Sequence, residues 1–326
     1  MSDEIDTLGG ASRRRNGAGF DWGQAMGRVF SSLEGLREGR ALYILLATFC
    51  GAGLAGASAQ ASFGRDELAW AVGQGAAGLF AAFYGVNAAG LVMMDRAMGR
   101  PPREVMQAVE DALGMAHRVL VVLACMLAAG ALVAAALGGL YWLSGLRGVG
   151  PWLFAVVAPV TVVVIGLTVV AGAAVLAPLT APTVWSGLGS IGALRRVAWL
   201  MRRRLLPATV LTAALSVATG LVGAATSGLV LLGGRVMAEA SVWIIGVDVP
   251  PEALMAGLIG RGVWVNNPSA VPAESLQYIW SATIGGGVIF AVALVLPTLV
   301  YLRGVCEIHL ALAPAPGQTD STEGAA

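Results

Sequence analysis

Between Arg118 and Arg147 the chain reads VLVVLACMLAAGALVAAALGGLYWLSGL, residues 119–146, without one charged side chain. About 20 mostly apolar residues suffice for a helix to cross a bilayer. The run shows none of the polar–apolar alternation that a membrane β-strand requires. Five more charge-free stretches follow the same pattern: Ala41–Gly64, Leu68–Met94, Gly148–Leu194, Leu205–Gly234 and Ser275–Leu302. The reading is an all-α polytopic membrane bundle of six spans, at residues 41–62, 69–94, 119–143, 152–175, 207–232 and 278–302. Gly148–Leu194 is too long for one span and too short for two. Its second part, Leu176–Leu194, carries Pro178 and Pro182, which are expected to end or kink the helix.

Composition agrees. Hydrophobic residues make up 57% of the chain and charged ones 12%, against about 25% charged in soluble domains. Mean hydropathy is +0.77. A net charge of +1 gives no reason to expect nucleic acid. Cys50, Cys125 and Cys306 sit in or beside apolar blocks and suggest no disulfide framework. His117 and His309 are far apart and offer no metal spacing, and no cofactor motif is present.

All 20 basic residues are arginine, and their placement predicts orientation. With the N-terminus inside, the inner segments hold sixteen: Arg13, Arg14, Arg15, Arg28, Arg37, Arg40, Arg96, Arg100, Arg103, Arg118, Arg195, Arg196, Arg202, Arg203, Arg204 and Arg303. The outer segments hold Arg65, Arg147, Arg235 and Arg261. Both termini are therefore expected in the cytoplasm of a bacterial cell, with the spans in its inner membrane. Aromatic residues mark the same borders, since their rings favour the headgroup level. Trp70, Tyr141, Trp142, Trp152, Tyr278 and Trp280 fall at expected outer ends, and Tyr43, Trp185, Trp199 and Tyr301 at inner ones. Ala57-Ser58-Ala59 resembles a signal-peptidase site, but the run before it is long enough to span, and its small residues read as packing positions.

Residues 1–19 and 313–326 read as disordered cytoplasmic tails around a membrane domain at 20–312. Three inner segments are amphipathic. The first carries Trp22, Met26, Val29, Phe30, Leu33 and Leu36 at helical spacing. The second opens at Pro101-Pro102 and carries Val105, Val109 and Leu113. The third carries Ile191, Leu194, Ala198 and Met201 beside an arginine run. Such segments lie in the interface or extend the next span. Each precedes a pair of spans, which raises a threefold repeat of amphipathic helix plus hairpin, though the copies share little sequence. The longest outer segment, residues 235–274, includes Pro250-Pro251, an apolar stretch at Ala253–Ile259 and Asn266-Asn267-Pro268. It reads as a surface excursion or a cap.

No expected span contains Asp, Glu, Lys, Arg or His. Such groups mark proton relays and ion paths in membranes, so ion-coupled transport and voltage sensing are disfavoured. No His-Glu-x-x-His motif exists, a lysine-dependent phosphate loop is impossible, and Glu110-Asp111 reads as a solvated helix face. The chain is read as non-enzymatic. The candidate packing or cavity positions are Gly51, Gly85 and Gly286 within small-residue runs, the lone amide Asn87, and the prolines Pro159 and Pro297. A buried amide needs a partner on another helix. Arg195, Arg196, Arg202, Arg203 and Arg204 are the candidate contacts for anionic lipid headgroups or a partner protein.

Pro182-Thr183-Val184, then Ser190–Leu200 with its basic run, and Pro297–Arg303 closing the last span resemble a recurring pattern. They are similar to six-helix bacterial membrane proteins of the YciC family and to the membrane domain fused to some glycerophosphodiester phosphodiesterases. The resemblance covers the chain from Pro182 onward and departs at residues 235–274. It implies architecture and no enzymology, because the phosphodiesterase catalytic domain is absent.

Two functions follow as expectations. The first is a structural or complex-forming envelope component, binding the bilayer, anionic headgroups and other membrane proteins or itself. The second is a permease subunit for a neutral or apolar solute, acting alone or paired with a separate ATPase. A permease should show a central polar cavity lined by Asn87 or the Pro159 kink; a close-packed bundle should not.

Overall fold

The computed structural model of the chain describes residues 20–146, 148, 150–246, 254–255 and 273–313. The expected tails, Arg147, Arg261 and most of the outer segment fall outside these residues. Among the described residues there are eight helices and no strand. Six are long and apolar enough to cross a membrane, so the chain is a multi-pass membrane protein.

Helix α1 (Trp22–Phe30) runs into a 3-10 turn at Ser31–Arg37. Asp21 caps it by accepting from the Gln24 amide at 3.1 Å. Then come α2 (Gly39–Phe63), α3 (Leu68–Ala97), α4 (Val105–Leu143), α5 (Gly150–Trp185), α6 (Ser190–Arg203), α7 (Leu205–Ala240, with a π turn at Ser241–Ile245) and α8 (Ala273–Ala311). Helices α2, α3, α4, α5, α7 and α8 are the spanning ones.

Short turns fold α2 and α3, and α3 and α4, back on each other. After α3 ends at Ala97 the chain turns at Gly99, whose φ of 70° suits a residue without Cβ. Its N–H reaches Arg96 O, and that of Arg100 reaches Asp95 O, which satisfies the last carbonyls. Asp66 plays the same part after α2 at φ 60°. Helix α6 stops at Arg203 because Pro207 follows four residues later. A proline ring clashes with the carbonyl four positions back, yet fits the first turn of α7.

Of the two outcomes expected at Pro178 and Pro182, an end or a disturbance of the helix, it is the second that occurs: the helix continues to Trp185. A π turn at Gly172–Leu176 absorbs the disturbance, with the Ala177 amide reaching back to Gly172 O. Pro178 has no N–H to offer the Ala174 carbonyl, and Thr212 Oγ1 of α7 donates to that carbonyl instead, at 3.1 Å. In the amphipathic segments the bundle takes mainly residues beside the apolar stripes. The bundle buries Ala25, Val29, Ser32 and Gly35 in the first; Ala108, Ala112 and Ala116 in the second; and Ala193, Val197 and Leu200 in the third. Phe30, Leu33, Leu113 and Ile191 point outward. Small residues face protein because they let helices approach closely, and the large apolar ones remain for the surroundings. The first and third segments are separate from their spans, whereas the second is the uninterrupted start of α4.

The hydrophobic core sits at the arginine-rich end. It joins Ala25 and Val29, Ile44 and Leu45, Ala88–Met94, Leu179 and Trp185, Leu211 and Leu215, and Leu299–Ile308. The other halves of α4 and α5 stand away from it. Between Gly150 and Ala171 only Gly150, Val157 and Thr161 are buried. Trp142 and Trp152 at the tip of this hairpin are exposed.

Candidate functional site

Two of the cavities beside that core among the described residues hold polar side chains. The first is a cleft of about 440 Å³ beneath the α4–α5 hairpin. Leu79, Phe83, Val119, Pro178 and Tyr301 line it, with Asn87 and Trp185 at its floor. Asn87 belongs to α3, and its amide nitrogen donates to Phe83 O one turn back, at 2.8 Å. Trp185, the last residue of α5, donates its indole N–H to Asn87 Oδ1 at 3.0 Å. The ring fits because Gly90 lies beneath it; a Cβ there would come within 2.7 Å of the ring's Cε2 atom. Trp185 stands at the end of the fourth spanning helix and is 5% exposed, a core residue with a polar duty. With both ends of the Asn87 amide engaged, the rest of the cleft is mostly apolar. It suits an apolar chain or helix better than a polar solute.

The second cavity, of about 260 Å³, lies at the arginine-rich end. Its wall joins Glu34, Gly35 and Arg37 of the 3-10 turn, Glu38, Met93 and Arg96 of the α3 end, and Arg303 of α8. Gly35 presses against α8, where a Cβ would stand 2.9 Å from Arg303 Cβ. The Arg303 side chain is 12% exposed and holds Glu307 at 2.6 Å through Nη2. Its Nε and Nη1 are buried without an acceptor. Arg96 meets Glu38 at 3.8 Å.

Beside it, Asp95 is almost fully buried and takes a two-point contact from Arg103, at 2.7 and 3.0 Å. The guanidinium also reaches Asp111 at 2.8 Å. The Asp95 hydrogen bond, ahead of the opposing effect of burial, raises the Arg103 pKa. Arg40 binds the backbone carbonyls of Pro102 and Arg103, tying the α3–α4 turn to α2. Charge is absent from the apolar stretches, but their helices continue into a shell of buried ion pairs. This shell is what the sequence reading missed. Its signal was the cluster of acids and arginines at several span ends.

The remaining candidates separate. Gly85 faces Thr48 of α2, and a Cβ there would fall 2.6 Å from Thr48 Cβ. Gly51 makes no such contact, since a Cβ at that position would meet nothing within 4 Å; Gly53 does the packing, against Gly287 and Ala291 of α8. Gly286 is buried. Pro297 is buried near Gly223, whereas Pro159 is exposed and away from the cleft. Of the five arginines, Arg195, Arg202 and Arg203 are exposed. Arg196 donates to Leu312 O at 3.2 Å and stacks on Trp199; burial first, then the Arg204 charge, lowers its pKa. Arg204 lies over the Phe20 ring. No protein family, curated protein or solved structure matches this chain.

Proposed function

We propose that the chain is a bacterial inner-membrane protein with cytoplasmic termini, working as a non-catalytic, complex-forming component. The observation that carries this reading is the state of the glycines. Gly53, Gly85, Gly90 and Gly304 are consumed by contacts within the chain. Gly130, Gly138, Gly139 and Gly166 on the α4–α5 hairpin meet nothing. A helix in a bundle buries one stripe, but the outer part of α5 buries three residues. Small residues allow close approach of a further helix, and this hairpin offers them without an internal taker. The likeness to YciC-like proteins belongs to the same proposal and supports architecture alone.

A photo-crosslinker placed at Gly130 or Gly139 of the full chain in native membranes tests it. Capture of another membrane protein or a second copy is expected, while the same probe at Gly53 should reach only α8. Equal, lipid-only products at all three positions would sink the reading. A permease for a neutral or apolar solute is the second reading, favoured by the cleft that reaches Asn87. Uptake of a neutral or apolar solute into vesicles holding the chain, alone or with an ATPase partner, is expected under this reading, and no uptake in either case would overturn it.

A further inference from the structure

We propose that the cavity at the arginine-rich end binds the headgroup of an ethanolamine phospholipid, with phosphate against Arg37, Arg96 and Arg303 and ammonium against Glu34. Four observations carry it. The lining holds both signs of charge, three guanidinium groups and two carboxylates. A purely anionic ligand would answer only the first set; a zwitterion answers both.

The charges are also incompletely matched within the chain. Arg303 spends one nitrogen on Glu307, and its Nε and Nη1 have no acceptor and no accessible surface, so it lends the cavity positive charge, while Arg37 and Arg96 present the accessible donors. A guanidinium presents donors in a fork that suits phosphate oxygens, and leaving such donors buried and unmet is costly. Among the described residues Arg37 forms no hydrogen bond or ion pair, and Arg96 reaches Glu38 only at 3.8 Å. Glu34 lies within electrostatic range of Glu307, a like charge, and has no ion-pair partner among the described residues. A primary ammonium beside it would supply three donors.

Depth is the third observation. Met93, Arg96, Glu38 and Arg303 sit where the apolar stretches of three spans end, which is the level of headgroups. Phe30 and Leu33, on the segment that forms one wall, are exposed apolar residues placed to enter the acyl region. Size is the fourth. The cavity falls below the roughly 300–1,000 Å³ of drug-sized sites, room for a headgroup and not for its chains.

The test uses the full chain purified in detergent, with thermal unfolding and native mass spectrometry as readouts. Phosphatidylethanolamine, phosphatidylcholine and phosphatidylglycerol of equal acyl chains are added, and glycerophosphoethanolamine and inorganic phosphate in parallel. Retention of phosphatidylethanolamine at least tenfold above the other two lipids is expected, with the largest rise in unfolding temperature. Choline carries no N–H for Glu34, and the glycerol headgroup no cation. Glu34→Gln should abolish the preference over phosphatidylcholine, and Arg37→Gln should weaken all three lipids. Both positions are exposed, so the fold is spared. Equal retention of the three lipids, a preference for phosphatidylglycerol, or insensitivity to both variants overturns the proposal. So does binding of glycerophosphoethanolamine as tightly as the lipid, which would make the ligand a soluble phosphodiester.

Discussion

Trp185 and Asn87 stand 98 positions apart in sequence and meet through one hydrogen bond of 3.0 Å, buried between the end of α5 and the second half of α3. This bond closes the floor of the cleft and ties the splayed hairpin to the core. Interhelical hydrogen bonds in membranes average about 0.6 and reach about 2 kcal/mol. A double-mutant cycle of Asn87→Leu and Trp185→Phe, read by unfolding in mixed micelles, should return a coupling in that range. A coupling of zero would show that the two residues contribute only as separate packing elements.

The glycines should divide into two groups. Gly85→Ala and Gly90→Ala push a methyl into Thr48 and the Trp185 ring, and overpacking of this kind costs about 1–3 kcal/mol. Gly51→Ala meets open space and should change stability by less than about 0.5 kcal/mol. Thermal denaturation of the three purified variants checks the order.

Thr212 is expected to matter only because Pro178 is present. Thr212→Val leaves the Ala174 carbonyl unmet and should cost about 1–3 kcal/mol. Pro178→Ala restores an amide to the helix. In that background the Thr212→Val loss should shrink, by the same denaturation measurement. Additive effects would mean the carbonyl finds its partner elsewhere.

The two members of the buried ion pair differ in what their loss leaves behind. Arg103→Ala strands Asp95, whose side chain is 6% exposed, and loss of one partner of a buried pair costs about 3–5 kcal/mol. Asp95→Asn removes the buried charge along with the pair and should cost less. Expression level and unfolding midpoint of the two variants give the comparison.

Orientation is open to direct labelling. In a background lacking Cys50, Cys125 and Cys306, Arg65→Cys should react with an impermeant maleimide on intact cells, and Arg202→Cys only after lysis. The reverse pattern would invert the proposed topology.

How much was legible in the sequence depends on the kind of free energy involved. Six apolar stretches give six long helices, since each excludes charge over a membrane's thickness. The contacts also gather the charged span ends, since Arg40 touches the α3–α4 turn, Arg96 meets Glu38, and Arg303 lies against Gly35. The amide Asn87 announced its need for a partner, and nothing local named Trp185. Thr212 and Gly304 carried no signal, because their duties arise from α7 lying beside α5 and α8.

Transfer from water to an apolar medium is a property of single residues, so the sequence alone determined the number of spans and where charge collects. Which face of each helix meets protein is another matter. Lipid chains and protein interior are equally apolar, and hydrophobicity does not tell them apart. Close packing does, and it depends on shape across two helices at once. Only the tertiary structure therefore decided that Ala108, Ala112 and Ala116 face the bundle while Leu113 faces away. It also decided that Glu34, Arg37, Arg96 and Arg303 share one cavity.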